Sequence, residues 1–203
     1  IGESETFCET PKLCAFPNAK YIACGNRFSV VADNNDFLYS SGENSSCQLG
    51  MGDDEQRLSF TKIPTKKRGI KNISCGDSHF IMLTRKGKLY GVGHNGERQL
   101  GFGDTMHRSV LERIPDLPDM ISVSCKRHRT IATDCGKKLW VFGSNVSQGL
   151  GIENKECLDP VQLDEILKVV SIVLGTNHTL VQTEDNTWVF GDNSTSQLGL
   201  PRC

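Results

Sequence analysis

A repeated unit that recurs four times constrains the fold of this chain more than any other feature. Its first motif begins at Cys24, Cys75, Cys125 and Leu174, and reads Cys-Gly-Asn-Arg-Phe, Cys-Gly-Asp-Ser-His, Cys-Lys-Arg-His-Arg and Leu-Gly-Thr-Asn-His. Its second motif begins at Gly42, Gly93, Gly143 and Gly191, carries Asn two residues later and ends in Leu-Gly. Equivalent glycines of the second motif are 48 to 51 residues apart. A fixed period of this length is the signature of a repeat architecture such as a propeller or a solenoid.

Each copy contains short apolar runs with the length of β-strands. Residues 80–84 and 88–92 flank a polar break in the second copy, and residues 179–183 and 187–190 do so in the fourth. Such pairs predict β-hairpins. A third run precedes each hairpin, at 21–23, 70–74, 121–124 and 169–173, and a less regular stretch with proline supplies a fourth, at 11–16, 60–64, 110–115 and 160–163. Three or four short strands per repeat are typical of one propeller blade.

Two columns of the repeat are predicted to be structural. An aromatic residue stands three positions before each motif glycine, at Tyr39, Tyr90, Trp140 and Trp188. The same register in every copy predicts a packing column between adjacent blades. His79 and His178 also share one repeat position, which favours structural hydrogen bonding over catalysis. His94, His107 and His128 follow no register and are expected to be exposed.

The pattern Gly-x-x-His, a hairpin, Gly-x-Asn and Gln-Leu-Gly resembles the repeat of the regulator of chromosome condensation family. The third copy departs from it, with Lys126 for Gly and Arg129 for His, and the first copy has Phe28 for His. The resemblance implies an all-β fold, a β-propeller of about four blades, where the family usually has seven. We therefore expect a partial propeller or a fragment of a seven-bladed one. The prediction is a single repeat domain over residues 1–203, with units at approximately 11–53, 54–104, 105–153 and 154–203.

The resemblance also bears on function. Family members include a nucleotide-exchange factor for the Ran GTPase and scaffold modules attached to kinases, ubiquitin ligases and trafficking proteins. It implies a protein–protein interaction or scaffold module within a larger signalling or regulatory protein. The alternative is a guanine-nucleotide-exchange factor for a Ran-like or other small GTPase. No catalytic triad, His-Glu-x-x-His or phosphate-binding loop stands out, so the sequence predicts no enzyme, no metal and no cofactor.

The segments that vary between copies are the candidates for partner contact, because variable segments of a repeat fold often emerge on one face. They follow the Leu-Gly of each copy, at 53–59, 104–109 and 153–159, and a basic run at 126–129 joins them. The predicted partner-binding residues are Asp53, Asp54, Glu55, His107, Arg108, Lys126, Arg127 and Arg129. The alternative for each is an ordinary solvated loop. A second basic run, Lys66-Lys67-Arg68, forms a patch with the first only if both lie on one face.

Composition narrows the classes of partner. The net charge is -1 and charged residues of both signs are interspersed, which disfavours nucleic acid. No apolar run is long enough to span a membrane and none opens the sequence, so we expect no membrane partner and no signal peptide. The nine cysteines contain no Cys-x-x-Cys, which favours free thiols and an intracellular, cytoplasmic or nuclear location. Open blade faces predict a homodimer as a further partner.

Overall fold

The computed structural model describes residues 10–14, 16, 18–67, 69–153 and 156–201. These residues form 15 β-strands in four antiparallel sheets, with short loops and turns between them. No helix in the described ranges is long and apolar enough to cross a membrane. The all-β prediction is confirmed.

Each of the first three sheets has four strands in chain order, and the fourth sheet has three. The first sheet consists of β1 (Ala19–Cys24), β2 (Phe28–Asp33), β3 (Leu38–Gly42) and β4 (Arg57–Lys62). The second consists of β5 (Ile70–Cys75), β6 (His79–Thr84), β7 (Leu89–Gly93) and β8 (Arg108–Arg113). The third consists of β9 (Met120–Lys126), β10 (Arg129–Asp134), β11 (Leu139–Ser144) and β12 (Cys157–Leu163). The fourth consists of β13 (Val169–Leu174), β14 (His178–Thr183) and β15 (Thr187–Gly191).

The predicted hairpins are confirmed, but in the first three sheets the fourth strand completes the preceding blade and does not begin the next one as predicted. The stretch around 60–64 was expected to begin a blade. Instead β4 pairs with β3, with Tyr39 opposite Lys62, and so completes the preceding sheet. Residues 11–14 and 16, predicted as an equivalent strand, form none. The sheets therefore do not begin and end where the predicted repeat units do. The limits of those units describe the period of the sequence and stay a prediction.

Adjacent sheets are held together by apolar side chains from both. In β6 every residue is buried, because the strand packs on both of its faces. Phe80 and Met82 join the cluster shared with the first sheet, whereas Ile81 and Leu83 join the cluster shared with the third. This alternation follows from the two-residue period of a strand. The core is thus a series of layers between blades.

The aromatic column behaves as predicted at the inner junctions. Tyr90 packs against the cluster between the first and second sheets, and Trp140 against the cluster between the second and third. Trp188, at the equivalent position of the fourth sheet, is 39% exposed. Apolar side chains are also exposed on the terminal sheets, at Ile22 (75%) and Val173 (62%). The homodimer through open faces stays a prediction.

The repeated glycine of the first motif allows a ring to lie directly over the backbone. A Cβ added at Gly76 would lie 2.2 Å from Cε1 of His79 and 2.4 Å from the carbonyl oxygen of Arg127. No side chain fits at such distances. Gly25 and Gly175 are covered in the same way, by Phe28 and His178. In the third copy Lys126 stands at this position, and Arg129 takes the place of the ring.

His79 links the second sheet to the third. Its Nε2 lies 3.1 Å from Oγ1 of Thr130, and that hydroxyl donates to the carbonyl oxygen of Gln99 at 2.8 Å. Since the hydroxyl proton is already donated, Nε2 carries the hydrogen that the oxygen accepts. Nδ1 is buried without a hydrogen-bond partner. Burial, together with the charges of the neighbouring His128 and His94, lowers the pKa of His79 to about 3.

The motif asparagine closes the long loop between the third and fourth strands. Asn95 donates through Nδ2 to the carbonyl oxygen of Asp104 at 2.9 Å, and its Oδ1 accepts from the backbone N–H of Leu100 at 2.9 Å. Asn44, Asn145 and Asn193 make the equivalent pairs of bonds. The bonds of Asn193 are longer, at 3.3 and 3.1 Å, and its surroundings are less buried.

Replacing Asn95 by Ala should lower the free energy of unfolding by about 2–3 kcal/mol, because two buried backbone groups lose their partners. The matched variant is Asn193→Ala, whose longer and more exposed bonds predict a loss of about 1 kcal/mol or less. Urea unfolding followed by circular dichroism measures both. Equal losses for the two variants would contradict this account of the loop.

Replacing His79 by Phe should remove part of the acid sensitivity of the fold. Above pH 6.5 the imidazole is neutral in both states, and the variant should lose only about 1 kcal/mol for the missing hydrogen bond. As the pH falls from 6.5 towards about 3, the unfolded chain takes up a proton that buried His79 does not. Wild-type stability should therefore fall by up to about 1.4 kcal/mol per pH unit over this window.

The chain itself supplies the precedent for this variant, because Phe28 occupies the same repeat position over Gly25. Urea unfolding between pH 7.5 and pH 4 measures the slope. A His79→Phe slope identical to wild type would show that the group responsible lies elsewhere.

Candidate docking face

Strand direction brings two sets of loops to one face of the molecule. In the first three sheets the first strand ends, the second begins, the third ends and the fourth begins on the same side. The three strands of the fourth sheet follow the same order. We call this side the loop face. The inner loops of this face join the first strand of each sheet to the second, and they lie together because the first strands of adjacent sheets contact one another. They are 25–27, 76–78, 127–128 and 175–177. The outer loops follow the third strand of each sheet and are 43–56, 94–107, 145–153 and 192–201. The opposite face carries the hairpin turns 34–37, 85–88, 135–138 and 184–186 and the linkers between sheets.

The inner loops are joined to one another by hydrogen bonds. The N–H of Asn26 donates to the carbonyl oxygen of Asp77 at 3.1 Å, and the N–H of Asp77 to that of Arg127 at 2.9 Å. Nη1 of Arg127 then donates to Oδ1 of Asn177 at 2.8 Å. One row of bonds therefore crosses all four sheets. It holds this part of the loop face in a fixed shape.

The acidic loop of the first sheet contains one structural carboxylate and two exposed ones. Oδ2 of Asp53 accepts from Nη2 of Arg57 at 2.5 Å, and its Oδ1 accepts from Nδ2 of Asn44 at 3.1 Å. The hydrogen bond from Arg57 lowers the pKa of Asp53. Asp54 and Glu55 are exposed. Of the predicted acidic residues, these two remain accessible to a partner.

The second sheet repeats this arrangement with the predicted basic residues. Nη2 of Arg108 donates to Oδ2 of Asp104 at 2.7 Å, which lowers the pKa of Asp104. The guanidinium of Arg108 also lies 4.3 Å from the centre of the Phe102 ring, and only 14% of the side chain is exposed. Arg108 therefore closes its own loop, whereas His107 is exposed. Both pairs are four residues apart in sequence, a regularity that marks them as structural.

The third basic segment separates into exposed and buried members. Lys126 and Arg127 are exposed on the loop face. Arg129 is only 5% exposed and donates from Nη1 to the carbonyl oxygen of Gly149 at 2.9 Å. Its Nη2 donates to the carbonyl oxygens of Gly175 and Thr176, each at 2.8 Å. Arg129 is therefore not a free surface side chain, because its guanidinium lies between the third and fourth sheets, and its part in partner binding stays a prediction.

The two basic runs do not form a common patch. Lys66 and Lys67 lie in the linker between the first and second sheets, on the opposite face. Arg68 lies outside the described residues. The conditional prediction of a shared patch is not met by the described part of the run.

The structure gathers three histidines that the sequence left scattered. The ring centre of His94 lies 4.5 Å from that of His107 and 5.6 Å from that of His128. Nε2 of Gln99 donates to Nδ1 of His94 at 2.7 Å. Burial, followed by the charges of His107 and His128, lowers the pKa of His94. Only His107 is fully exposed, so the expectation of exposure is wrong for His94 and His128, which are half-buried.

These histidines do not make a metal centre in this geometry. No group of three or more His, Cys, Asp or Glu side chains among the described residues is arranged to hold a metal ion. The sequence signal for the cluster was weak, since only His94 and His107 belong to one outer loop and His128 comes from the next sheet.

Cysteines lie near the loop-face end of the first strand in each of the first three sheets. Cys24 and Cys75 end β1 and β5, and Cys125 precedes the last residue of β9. A cavity of about 220 Å³ lies beside Cys24 and Cys75 on the loop face. Burial raises the pKa of Cys75, and the nearby Cys125 and Cys24 raise it further. Burial raises the pKa of Cys125 to about 12. All seven described cysteines are free, as predicted, and Cys8 and Cys203 lie outside the described residues.

Comparison with known proteins agrees with this architecture. Two models of the regulator of chromosome condensation (RCC1) repeat match the chain, over residues 35–83 and 70–99. Human X-linked retinitis pigmentosa GTPase regulator is 31% identical over 238 residues, covering 89% of this chain and 23% of that protein. The ultraviolet-B receptor UVR8 of Arabidopsis thaliana is 28% identical over 210 residues, covering 98% of this chain and 48% of the receptor.

Among solved structures, Prp20p of Saccharomyces cerevisiae matches with a TM-score of 0.80 at 19% identity. The match covers 95% of this chain and 49% of Prp20p, and at this identity it shows the fold alone. The chain thus spans less than half the length of each of these three relatives. With its repeats in register and its sheets arranged as propeller blades, the chain belongs to the RCC1 repeat family.

Proposed function

We propose that this chain is a protein–protein interaction module whose partner docks on the loop face. The observation that carries the proposal is the unequal distribution of loops between the two faces. The outer loops 43–56 and 94–107 both lie on the loop face, opposite the short turns 34–37 and 85–88. Long loops on a rigid scaffold are where repeat proteins most often bind their partners.

The charges that remain accessible on this face support the same proposal. Asp54 and Glu55 are exposed on the first sheet, and Lys126 and Arg127 on the third. Acidic and basic groups are therefore separated across one face. A partner with the complementary order of charges would be steered into one orientation, because electrostatic complementarity sets register and association rate.

Charge reversal on the loop face should abolish capture of that partner. The variant is Asp54→Lys with Glu55→Lys, and Asp53 is kept because it closes its loop through Arg57. Affinity capture from a cell extract, quantified by mass spectrometry, should show proteins retained by wild type and lost from the variant by about tenfold or more.

The matched control is Asp164→Lys with Glu165→Lys, which reverses two exposed acidic residues in a linker of the opposite face. This control should capture the same proteins as wild type. The proposal is wrong if the two double variants lose the same proteins, or if neither loses any.

Guanine-nucleotide exchange on a small GTPase is the second candidate. It is supported by two relatives: the retinitis pigmentosa relative is a GTPase regulator, and Prp20p binds Gsp1p and histones. Exchange needs no covalent chemistry, because a face that binds the nucleotide-free GTPase more tightly displaces the nucleotide.

Nucleotide release separates the two candidates. Small GTPases loaded with fluorescent GDP, a Ran-like member among them, are mixed with the chain in excess GTP. An exchange factor should accelerate release from one member by about tenfold or more, which corresponds to about 1.4 kcal/mol of barrier. The Asp54→Lys, Glu55→Lys variant and its opposite-face control apply here as well. Binding without acceleration leaves the interaction module as the function.

The proposed role involves no bond-making chemistry and no cofactor, and its setting is intracellular, cytoplasmic or nuclear. The free state of all seven described cysteines supports a reducing compartment.

A further inference from the structure

The junction between the third and fourth sheets differs from the junction before it, because it contains an open cleft. The cleft lies on the loop face and has a volume of about 230 Å³. Its walls include Arg127, His128, Arg129, Ser147, Asn177 and Glu97. A water molecule occupies about 30 Å³ in the liquid, so the cleft has room for a side chain of a partner.

The cleft exists because three equivalent positions carry smaller residues. Between the second and third sheets these positions hold His94, Gln99 and His128, and Nε2 of Gln99 lies 2.7 Å and 3.3 Å from Nδ1 of the two rings. That junction is therefore filled. Between the third and fourth sheets the equivalent residues are Ser144, Gly149 and Asn177. The side chains that close one junction are missing from the next.

The change at Gly149 is coupled to the change at Arg129. A Cβ added at Gly149 would lie 1.9 Å from Nη1 of Arg129, so the glutamine of the other copies would displace this guanidinium from its hydrogen bonds. Lys126 is the third residue of this group. In the second copy the ring of His79 leaves no room for a Cβ at Gly76, so the lysine at the equivalent position 126 is possible only because Arg129 replaces the ring. Three departures from the repeat thus produce one local structure.

This local structure carries positive charge without an acidic partner. Arg129 is 5% exposed and its hydrogen bonds go to neutral oxygens, three of them backbone carbonyls. Arg127 is hydrogen-bonded to the neutral side chain of Asn177. No ion pair among the described residues includes either arginine. A buried charge that lacks a counter-charge is unfavourable, and an anion in the cleft would offset it.

The charge balance indicates which anion fits. Glu97 also lines the cleft, and its Oε2 accepts a hydrogen bond from Sγ of Cys157 at 2.8 Å. The two guanidinium groups and the one carboxylate together leave a single excess positive charge. A monoanion therefore matches the cleft better than a doubly charged phosphate does. The hydroxyls of Ser144 and Ser147 add hydrogen-bond donors to the walls.

We propose that this cleft binds the carboxylate side chain of an aspartate or glutamate in an acidic segment of the protein partner. The proposal rests on the proposed use of the loop face for docking and adds the chemistry of the contact. Arg127 lies on the accessible rim and would pair with the carboxylate, while Arg129 supplies positive charge from within.

The probe is a hexaglutamate peptide titrated into the ¹⁵N-labelled chain and followed by NMR, with hexaglutamine as the uncharged control. Shifts should concentrate at residues 127–128, 144–147 and 176–177, and should weaken as salt rises, because exposed charges are screened. Arg127→Gln should raise the dissociation constant by about tenfold. Lys86→Gln, which removes an exposed charge from the opposite face, should leave it unchanged.

The second variant restores the repeat at this junction: Lys126→Gly, Arg129→His and Gly149→Gln together. It should fold, as thermal unfolding will show, and should lose hexaglutamate binding because its buried positive charge is removed and the added glutamine side chain narrows the cleft. If it does not fold, Arg127→Gln alone decides the outcome.

Absent or dispersed shifts, or equal binding by Arg127→Gln and Lys86→Gln, would overturn the proposal. Tighter binding of a phosphoserine peptide than of hexaglutamate would overturn the choice of a carboxylate. The two proposals can fail separately. Hexaglutamate binding tests the cleft, whereas the Asp54→Lys, Glu55→Lys variant tests docking through the first sheet. Loss of partner capture in that variant combined with no hexaglutamate binding would refute the cleft alone.

Discussion

The packing of each blade against the next is the constraint on which the whole structure depends. Strands β6 and β10 are buried on both faces, so each contributes half of its side chains to the core on either side. Each core cluster of the described residues combines side chains from two adjacent sheets. In such a chain the stability of one repeat is coupled to that of its neighbours. A residue at a junction can therefore change only if the residues that it contacts across the junction change with it.

The sequence predicted the elements of this fold because the chemistry of each junction is local and repeated. Gly76 and His79 are three residues apart, and Asn95 closes a loop whose length hardly changes between the first two copies. The pairing of β4 with β3 was missed for a physical reason. The loop 43–56 separates these strands, and nothing in their composition states whether the chain returns to the old sheet or starts a new one.

The candidate site was harder to predict, since charge in a loop does not reveal its partner. Asp53 and Arg108 resemble free binding groups in the sequence, yet each forms an ion pair with the residue four positions away. That spacing recurs in two copies, so the signal was present. Arg129 offered no such signal, because its acceptors are carbonyl oxygens of the next repeat. Only the packing of the third sheet against the fourth reveals them.

The departures of the third copy also show how a repeat protein acquires a new surface feature without losing its fold. Restoring glutamine at 149 alone would drive its Cβ into Arg129, and restoring histidine at 129 alone would set a ring against Lys126. Neither single reversal fits, so the three residues must be considered as one unit. Because the guanidinium bonds Gly149, Gly175 and Thr176 together, it joins the two sheets as the missing ring would have done. The junction is thereby preserved while the cleft beside it opens to solvent.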